Sequence, residues 1–365
     1  MGEHIKEITV ENFKAVRHVS LKLGSMTAFI GTQDAGKSSI LQAVALLLTG
    51  TTACSRHSSL TECLFEYLSH DLLRAPRAER RTWQELLAGF RAQVKLKKRI
   101  IELEWRGSRF VLHGFDPVAT PRAFYVHLST ESLRRPVYVD TYPPRLAPDG
   151  ENLPAVLAAL QGEHLRLFLD LQERFRGLVP TVREILLRRL PVVREEVQTI
   201  TVNGVETTYT IKRQYMGDCL AFRLTTGEVV PAEAMSDGAM RILGYLTALM
   251  APPTPEILLV EGPEEGIHPE SVKHLVRFFR AVQEERGVQI LMTTHSPDFV
   301  SWLEPHEIVL VRRGADGYTE ARRMDEIPHI DEWMEVMSPG ELWLLKGEEE
   351  LIDEPSTGEV VNDGE

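Results

Sequence analysis

The chain has 365 residues, 43% hydrophobic and 26% charged, enough for one large or two ordinary domains around a filled core. A formal net charge of −12 excludes a surface coated for nucleic-acid binding, and three cysteines exclude a disulfide framework. The charged start MGEHIKEITVENFK is no signal peptide, and no window approaches the roughly 20 apolar residues of a membrane span, so a cytoplasmic protein with no membrane partner is expected.

In chain order, IKEITVENFKAVRHVSLKL alternates apolar and polar residues on either side of a break at Asn12–Lys14, which predicts two strands. A third strand, MTAFI, runs into GTQDAGKSS and then into the apolar helix SILQAVALLL. Residues from about 60 to 93 read as a helical insertion, followed by a hairpin in KRIIELEWRGSRFVLHGF and a strand in AFYVHL. Helices are expected in ENLPAVLAALQGEHLRLFLDLQERF and TVREILLRRL, and a second hairpin in VQTITVNGVETTYTIKRQ turns on Asn203-Gly204. The last third alternates MRILGYLTALM, EILLV, HPESVKHLVRFFRAVQEE, QILMTT, PDFVSWL and EIVLVRR, the pattern of a parallel sheet with helices packed on it. That section and the glycine loop are expected to share one sheet.

The expected organisation is an N-terminal lobe over 1–135, a helical lobe with a hairpin over 136–232, a C-terminal lobe over 233–345 and an acidic, disordered tail over 346–365. Residues 73–106, with RAPRAERR and KLKKR, are basic and read either as a solvated face or as a rim for DNA or a partner. Cys54, His57, Cys63 and His70 fit no standard zinc spacing and read as loop entering helix.

Gly31, Gly36, Lys37 and Ser38 spell GxxxxGKS between a strand and a helix. Glycines let backbone N–H groups wrap phosphates, Lys37 supplies a point charge, and the Ser38 hydroxyl is placed for Mg²⁺; Asp34, Ala35 and Ser39 complete the loop. This predicts ATP or GTP binding but not the reaction. Ser236 and Gly238, in EAMSDGAMRIL, precede a helix and read either as an N-cap or as a second anion-binding corner. Glu261 ends the strand EILLV, where it can serve Mg²⁺ together with Ser38, and His295 follows the strand QILMTT.

Together these elements resemble the ATP-binding-cassette class of ATPase heads, in its RecF, SMC and OLD-nuclease-like branch. MSDGAMR looks like the signature motif, VEGPEEGIHP like the Walker B and D-loop, TTHSP like the switch histidine, and SPGELW is similar to stand-alone members. The resemblance implies an α/β P-loop head with a mixed sheet, an antiparallel β subdomain, a helical insertion lobe and ATP with Mg²⁺ as cofactors. It also implies a homodimer or higher homo-oligomer in which Ser236 and Gly238 of one protomer meet the nucleotide at Gly36, Lys37 and Ser38 of the other, and it brings Lys14 of NFK near that nucleotide. A solvated turn lysine is the alternative for Lys14.

No long heptad repeat is present, so an SMC-type arm is not expected, nor is there length after Trp343 for the nuclease domain of OLD proteins. A separately encoded effector, nuclease or toxin, in an anti-phage module is the expected partner, by analogy. Relatives carry a second glutamate after the Walker B acid, and here Gly262 stands at that position. Either Glu264 or Glu265 substitutes, or His295 suffices, or hydrolysis is slow and ATP clamps a dimer; the last is favoured. Two other functions stand beside the switch: a nucleotide-stabilised scaffold that sequesters a partner, and a DNA-repair ATPase acting directly on DNA.

Overall fold

A computed structural model describes residues 3–50, 64, 87–202 and 205–354. They form two compact units, one of residues 1–126 with 255–365 and the other of residues 127–254.

In the first unit, β1 (Glu7–Phe13) and β2 (Val16–Lys22) form the antiparallel hairpin their alternation predicts, with Ile8, Val10 and Phe13 pointing inward. They join β4 (Arg91–Lys95), β5 (Ile100–Arg106) and β6 (Arg109–His113) in a five-stranded antiparallel sheet of order β2-β1-β4-β5-β6. A second sheet has the order β14-β13-β3-β12-β11-β7, with β3 (Met26–Ile30) near its centre. Its parallel strands β7 (Ala123–Val126), β11 (Ile257–Glu261), β12 (Gln289–Thr294) and β13 (Ile308–Arg313) are apolar throughout most of their length, and antiparallel β14 (Thr319–Arg323) closes one edge. The N-terminal strand and the C-terminal α/β section do share one sheet.

Helix α1 (Lys37–Ala45), continued by a π-helical turn over Leu46–Gly50, is buried on nearly all sides. Ile40, Leu41 and Val44 belong to one core with Ile8 and Val10 of the antiparallel sheet and Phe29, Leu259 and Leu291 of the parallel one. The helix that starts at the glycine loop is thereby fixed by both sheets.

The second unit contains α2 (Thr130–Arg134), α3 (Leu153–Glu163), α4 (Leu165–Leu178), a long hairpin of β8 (Val182–Val202) and β9 (Val205–Leu224) with β10 (Val229–Pro231), and α5 (Asp237–Met250). Its interior gathers Leu157, Phe168, Phe175, Phe222, Leu243 and Leu246. The first unit adds α6 (Pro269–Arg286), α7 (Pro297–Val300), α8 (Ile330–Met334) and α9 (Pro339–Asp353). At 18 residues α6 is the longest helix among the described residues, and none of them is long and apolar enough to cross a membrane.

Three expectations are corrected. TVREILLRRL is strand: Val182, Ile185, Leu186 and Leu190 recur at helical spacing, but the segment pairs with β9, with one register shift between Val182 and Glu184, and tertiary pairing overrides the local pattern. The helical reading up to Gln93 fails because Arg91–Lys95 pair on both sides with β1 and β5. The tail does not begin at residue 346: α9 continues to Asp353, kinked at Gly347, and Glu348 and Leu351 are buried. The turn at Asn203-Gly204, the group Cys54, His57, Cys63 and His70, most of the helical insertion and residues 355–365 lie outside the described residues. Of the basic stretch, residues 87–106 are described: Arg91 pairs with Glu102 at 2.8 Å, Lys95 with Glu7 at 3.1 Å and Arg99 with Glu3 at 3.4 Å, which neutralises part of its positive charge.

Candidate nucleotide site

Fully buried β3 delivers the chain into Gly31, whose φ is 149° and where a Cβ would strike the Val311 carbonyl of β13. Gly36 has φ 103°, and a Cβ there would overlap the Thr319 side chain of β14. Both positions need glycine for space and for conformation. Between them Asp34 is left-handed, with φ 62°, and the Ala35 carbonyl accepts the Thr319 hydroxyl at 2.9 Å. Helix α1 then starts at Lys37 with no side-chain cap, leaving its first N–H groups to face an anion.

A cleft of about 220 Å³ opens here, lined by Lys14, Asp34, Lys37, Ser38, Ser39 and Arg313 among others. Three cations against one carboxylate, over a free helix N-terminus, suit a polyphosphate. The Lys37 ammonium is held by the carbonyls of Gly31 at 2.7 Å and Thr32 at 2.6 Å. Burial lowers its pKa, opposed by the charges of Glu348, Glu264 and Asp34. Ser38 is exposed at the start of the helix, where its hydroxyl is accessible to a metal ion.

Lys14 has φ 54° in the turn between β1 and β2, and its ammonium donates to Gln42 Oε1. Burial of the ammonium brings its pKa down to about 8, opposed by Glu261. Gln42 in turn donates through Nε2 to Glu261 Oε1 at 3.0 Å. Lys14, Gln42 and Glu261 thus form one chain of side chains from the cleft to the end of β11. In sequence Gln42 looked like an ordinary residue of an apolar helix, and its 8% exposure shows why no periodicity argument singled it out.

After Glu261 the backbone turns sharply. Gly262 has φ 54°, donates its N–H to the Thr293 carbonyl at 3.0 Å, and its Cβ position lies 2.5 Å from Glu265 Oε1. Glu264 is 7% exposed; its Oε1 accepts the His295 N–H at 3.2 Å and lies 3.7 Å from His295 Nδ1, while Oε2 has no hydrogen-bond partner among the described residues. Burial raises its pKa, against hydrogen bonds that include the Thr294 side chain. Glu264 and His295 are therefore in contact. His268 caps α6 by accepting the Glu270 N–H at 3.3 Å.

Ser236 and Gly238 lie in the second unit. Ser236 is exposed and caps α5 by accepting the Ala239 N–H at 3.3 Å, while Arg134 holds the Met235 carbonyl and the Asp237 carboxylate, each at 2.6 Å. The helix start is thus held by a side-chain cap and by Arg134.

Residues 4–101 match an AAA ATPase domain model, and residues 157–301 match a model described as an AAA domain, putative AbiEii toxin, type IV TA system. An OLD nuclease of Thermus scotoductus is 23% identical over 372 residues. The chain resembles AAA ATPases of the OLD-like branch. The aligned region takes in 86% of this ATPase but only 62% of that relative's length. In structure the ATPase resembles an SMC head domain with an extended coiled coil from Pyrococcus furiosus, bound in that structure to the C-terminal domain of ScpA: TM-score 0.51, 13% identity, 91% of this chain and 100% of that one. A second SMC head, from Thermotoga maritima, has TM-score 0.44 and 11% identity over 88% of this chain and 99% of its own. The Pyrococcus likeness shows the ATPase-head fold, with its mixed sheet and antiparallel sheets, and nothing of what the chain acts on.

Proposed function

We propose that the chain is an ATP-dependent, dimerising switch that hydrolyses ATP slowly and controls a separately encoded effector, a nuclease or toxin, in bacterial anti-phage defence. The Lys37 loop with Lys14 and Arg313 holds the triphosphate, Ser38 and Glu261 serve Mg²⁺, and Ser236 and Gly238 of a second protomer close over the γ-phosphate. The likeness to an OLD nuclease and to an AbiEii-type family supports the defence setting.

Slow turnover is carried by one observation: the position after Glu261 is a left-handed glycine, and the nearest substitute, Glu264, is buried with its Oε1 against His295. A well-placed general base contributes roughly a hundred to ten thousand fold, so its loss turns a motor into a long-lived clamp. The test pairs steady-state turnover with mass in solution. The expected result is an ATP- and Mg²⁺-dependent dimer that persists for many minutes. Rapid turnover with no change of mass on adding ATP would overturn the clamp, and loss of turnover in Glu264→Gln from an ordinary wild-type rate would assign the base to Glu264.

A further inference from the structure

The acidic run KGEEELIDE looks like a solvated helix end, yet Glu348 within it is only 7% exposed. Gly347, at φ 71° and ψ 163°, breaks α9 just before it and redirects the next side chain. The carboxylate then makes two hydrogen bonds. Oε1 accepts the Thr32 N–H at 2.8 Å, and Oε2 accepts Trp343 Nε1–H at 2.9 Å. Burial acts to raise the Glu348 pKa, but these bonds outweigh it and leave it below its ordinary value, so the group is an anion at neutral pH.

The Thr32 N–H belongs to the same peptide unit as the Gly31 carbonyl. In a trans peptide those two groups point in opposite directions. The Gly31 carbonyl accepts the Lys37 ammonium at 2.7 Å, so a single peptide plane is held between an anion on one side and a cation on the other. Each charge polarises the peptide in the sense that strengthens the other's hydrogen bond.

We propose that Glu348 is a positioning residue for the phosphate loop: it fixes the Gly31–Thr32 peptide so that the Gly31 carbonyl faces Lys37, and thereby holds the ammonium where the phosphates enter. The nucleotide part of this role rests on the ATP-binding reading of Lys37. The rest of the segment is anchored independently of Glu348. Arg312 donates to the Glu349 carbonyl at 2.9 Å and to Asp353 at 2.5 Å, Arg322 donates to the Ile352 carbonyl at 3.1 Å, and Leu342 and Leu351 are fully buried. Removing the carboxylate therefore leaves α9 docked while releasing the peptide.

The first arm of the test needs no nucleotide. Lys37 is labelled competitively with acetic anhydride in the nucleotide-free protein and its rate is compared with that of exposed Lys22. In Glu348→Ala the Lys37 rate rises by roughly tenfold, about the effect of one charge-assisted hydrogen bond. Glu348→Gln, whose amide oxygen still accepts from Thr32, shows a smaller rise, and Trp343→Phe a smaller one again. An unchanged Lys37 rate in both Glu348 variants, with melting temperatures near that of wild type, overturns the proposal; if the alanine variant does not fold, the glutamine and Trp343→Phe variants decide it.

The second arm measures ADP affinity by fluorescence of a labelled analogue. Glu348→Ala weakens binding by roughly tenfold, and adding it to Lys37→Met causes little further loss, because residues that act through one another are not additive. Full additivity would assign Glu348 a merely structural role and overturn the proposal. If Lys37→Met binds ADP as wild type does, the ATP-site reading fails, and the labelling arm still judges whether Glu348 positions the lysine.

Discussion

Gly262 is the residue on which the reading of this ATPase turns, and its backbone explains its identity. At φ 54° an L-residue with a Cβ is strained by about 1–2 kcal/mol, and a side chain there meets Glu265. Placing a glutamate at position 262 should therefore not speed turnover. Gly262→Glu is expected to lower stability by ~1 kcal/mol in urea denaturation and to leave turnover near wild type, since the carboxylate departs from a left-handed turn rather than from an extended strand end. A rise in turnover of a hundredfold or more would show that the turn re-forms around the new side chain. Glu264 carries a second prediction. Its folded pKa is raised by burial, so the folded state binds more protons than the unfolded state between the ordinary carboxylate pKa and the raised one, and stability falls as pH rises through that window. Glu264→Gln removes this penalty, and its stability advantage over wild type should grow from acid pH to neutral, reaching ~1 kcal/mol, with turnover unchanged or lower. An advantage that is flat in pH would mean that the carboxyl is not buried as an acid.

At the scale of elements, β14 matters more than its sequence suggests. TEARR is short and charged, but Thr319 is 3% exposed, fills the space that Gly36 leaves open and donates to the Ala35 carbonyl. Thr319→Val keeps the volume and leaves that carbonyl unpaired; the expected loss is about 1–2 kcal/mol of stability, with weaker ATP binding and little change in kcat. Unaltered ATP affinity would show that the loop holds its shape without β14. The same element marks where sequence was legible. The β3–loop–α1 unit could be read because glycine spacing and a buried strand are local signals, and Glu261, His295 and Ser236 fell at element ends that periodicity locates. The first half of β8 was hidden because its apolar residues happen to recur at helical spacing and its partner in β9 is distant in sequence. Gln42 and Glu348 were hidden for a different reason: one looks like core and the other like a solvated acid, and only tertiary contact shows the partners each one has.

At the scale of the whole molecule, the parts of the proposed site divide between the two units: Lys14, Lys37, Glu261, Glu264 and His295 in the first, and Ser236 and Gly238 in the second. If one protomer's loop is completed by its partner's signature helix, the defect of a loop variant and that of a signature variant must complement each other. Lys37→Met should abolish ATP-dependent dimerisation and turnover on its own. Ser236→Arg, which also removes the cap of α5 at a cost of about 1 kcal/mol, should bind ATP but neither dimerise nor turn over. In an equal mixture each heterodimer contains one pairing of an intact loop with an intact signature, and one in which both are defective. Turnover and dimer mass should therefore reappear in the mixture, at less than half the wild-type level because the two homodimeric combinations stay inactive and only one site of each heterodimer is sound. The measurement is ATP-dependent mass by light scattering alongside phosphate release, at a concentration where wild type is dimeric. A Ser236→Arg protein that dimerises with ATP as wild type does would remove the signature helix from the site, and a mixture as inactive as its components would mean that each site is completed within a single chain.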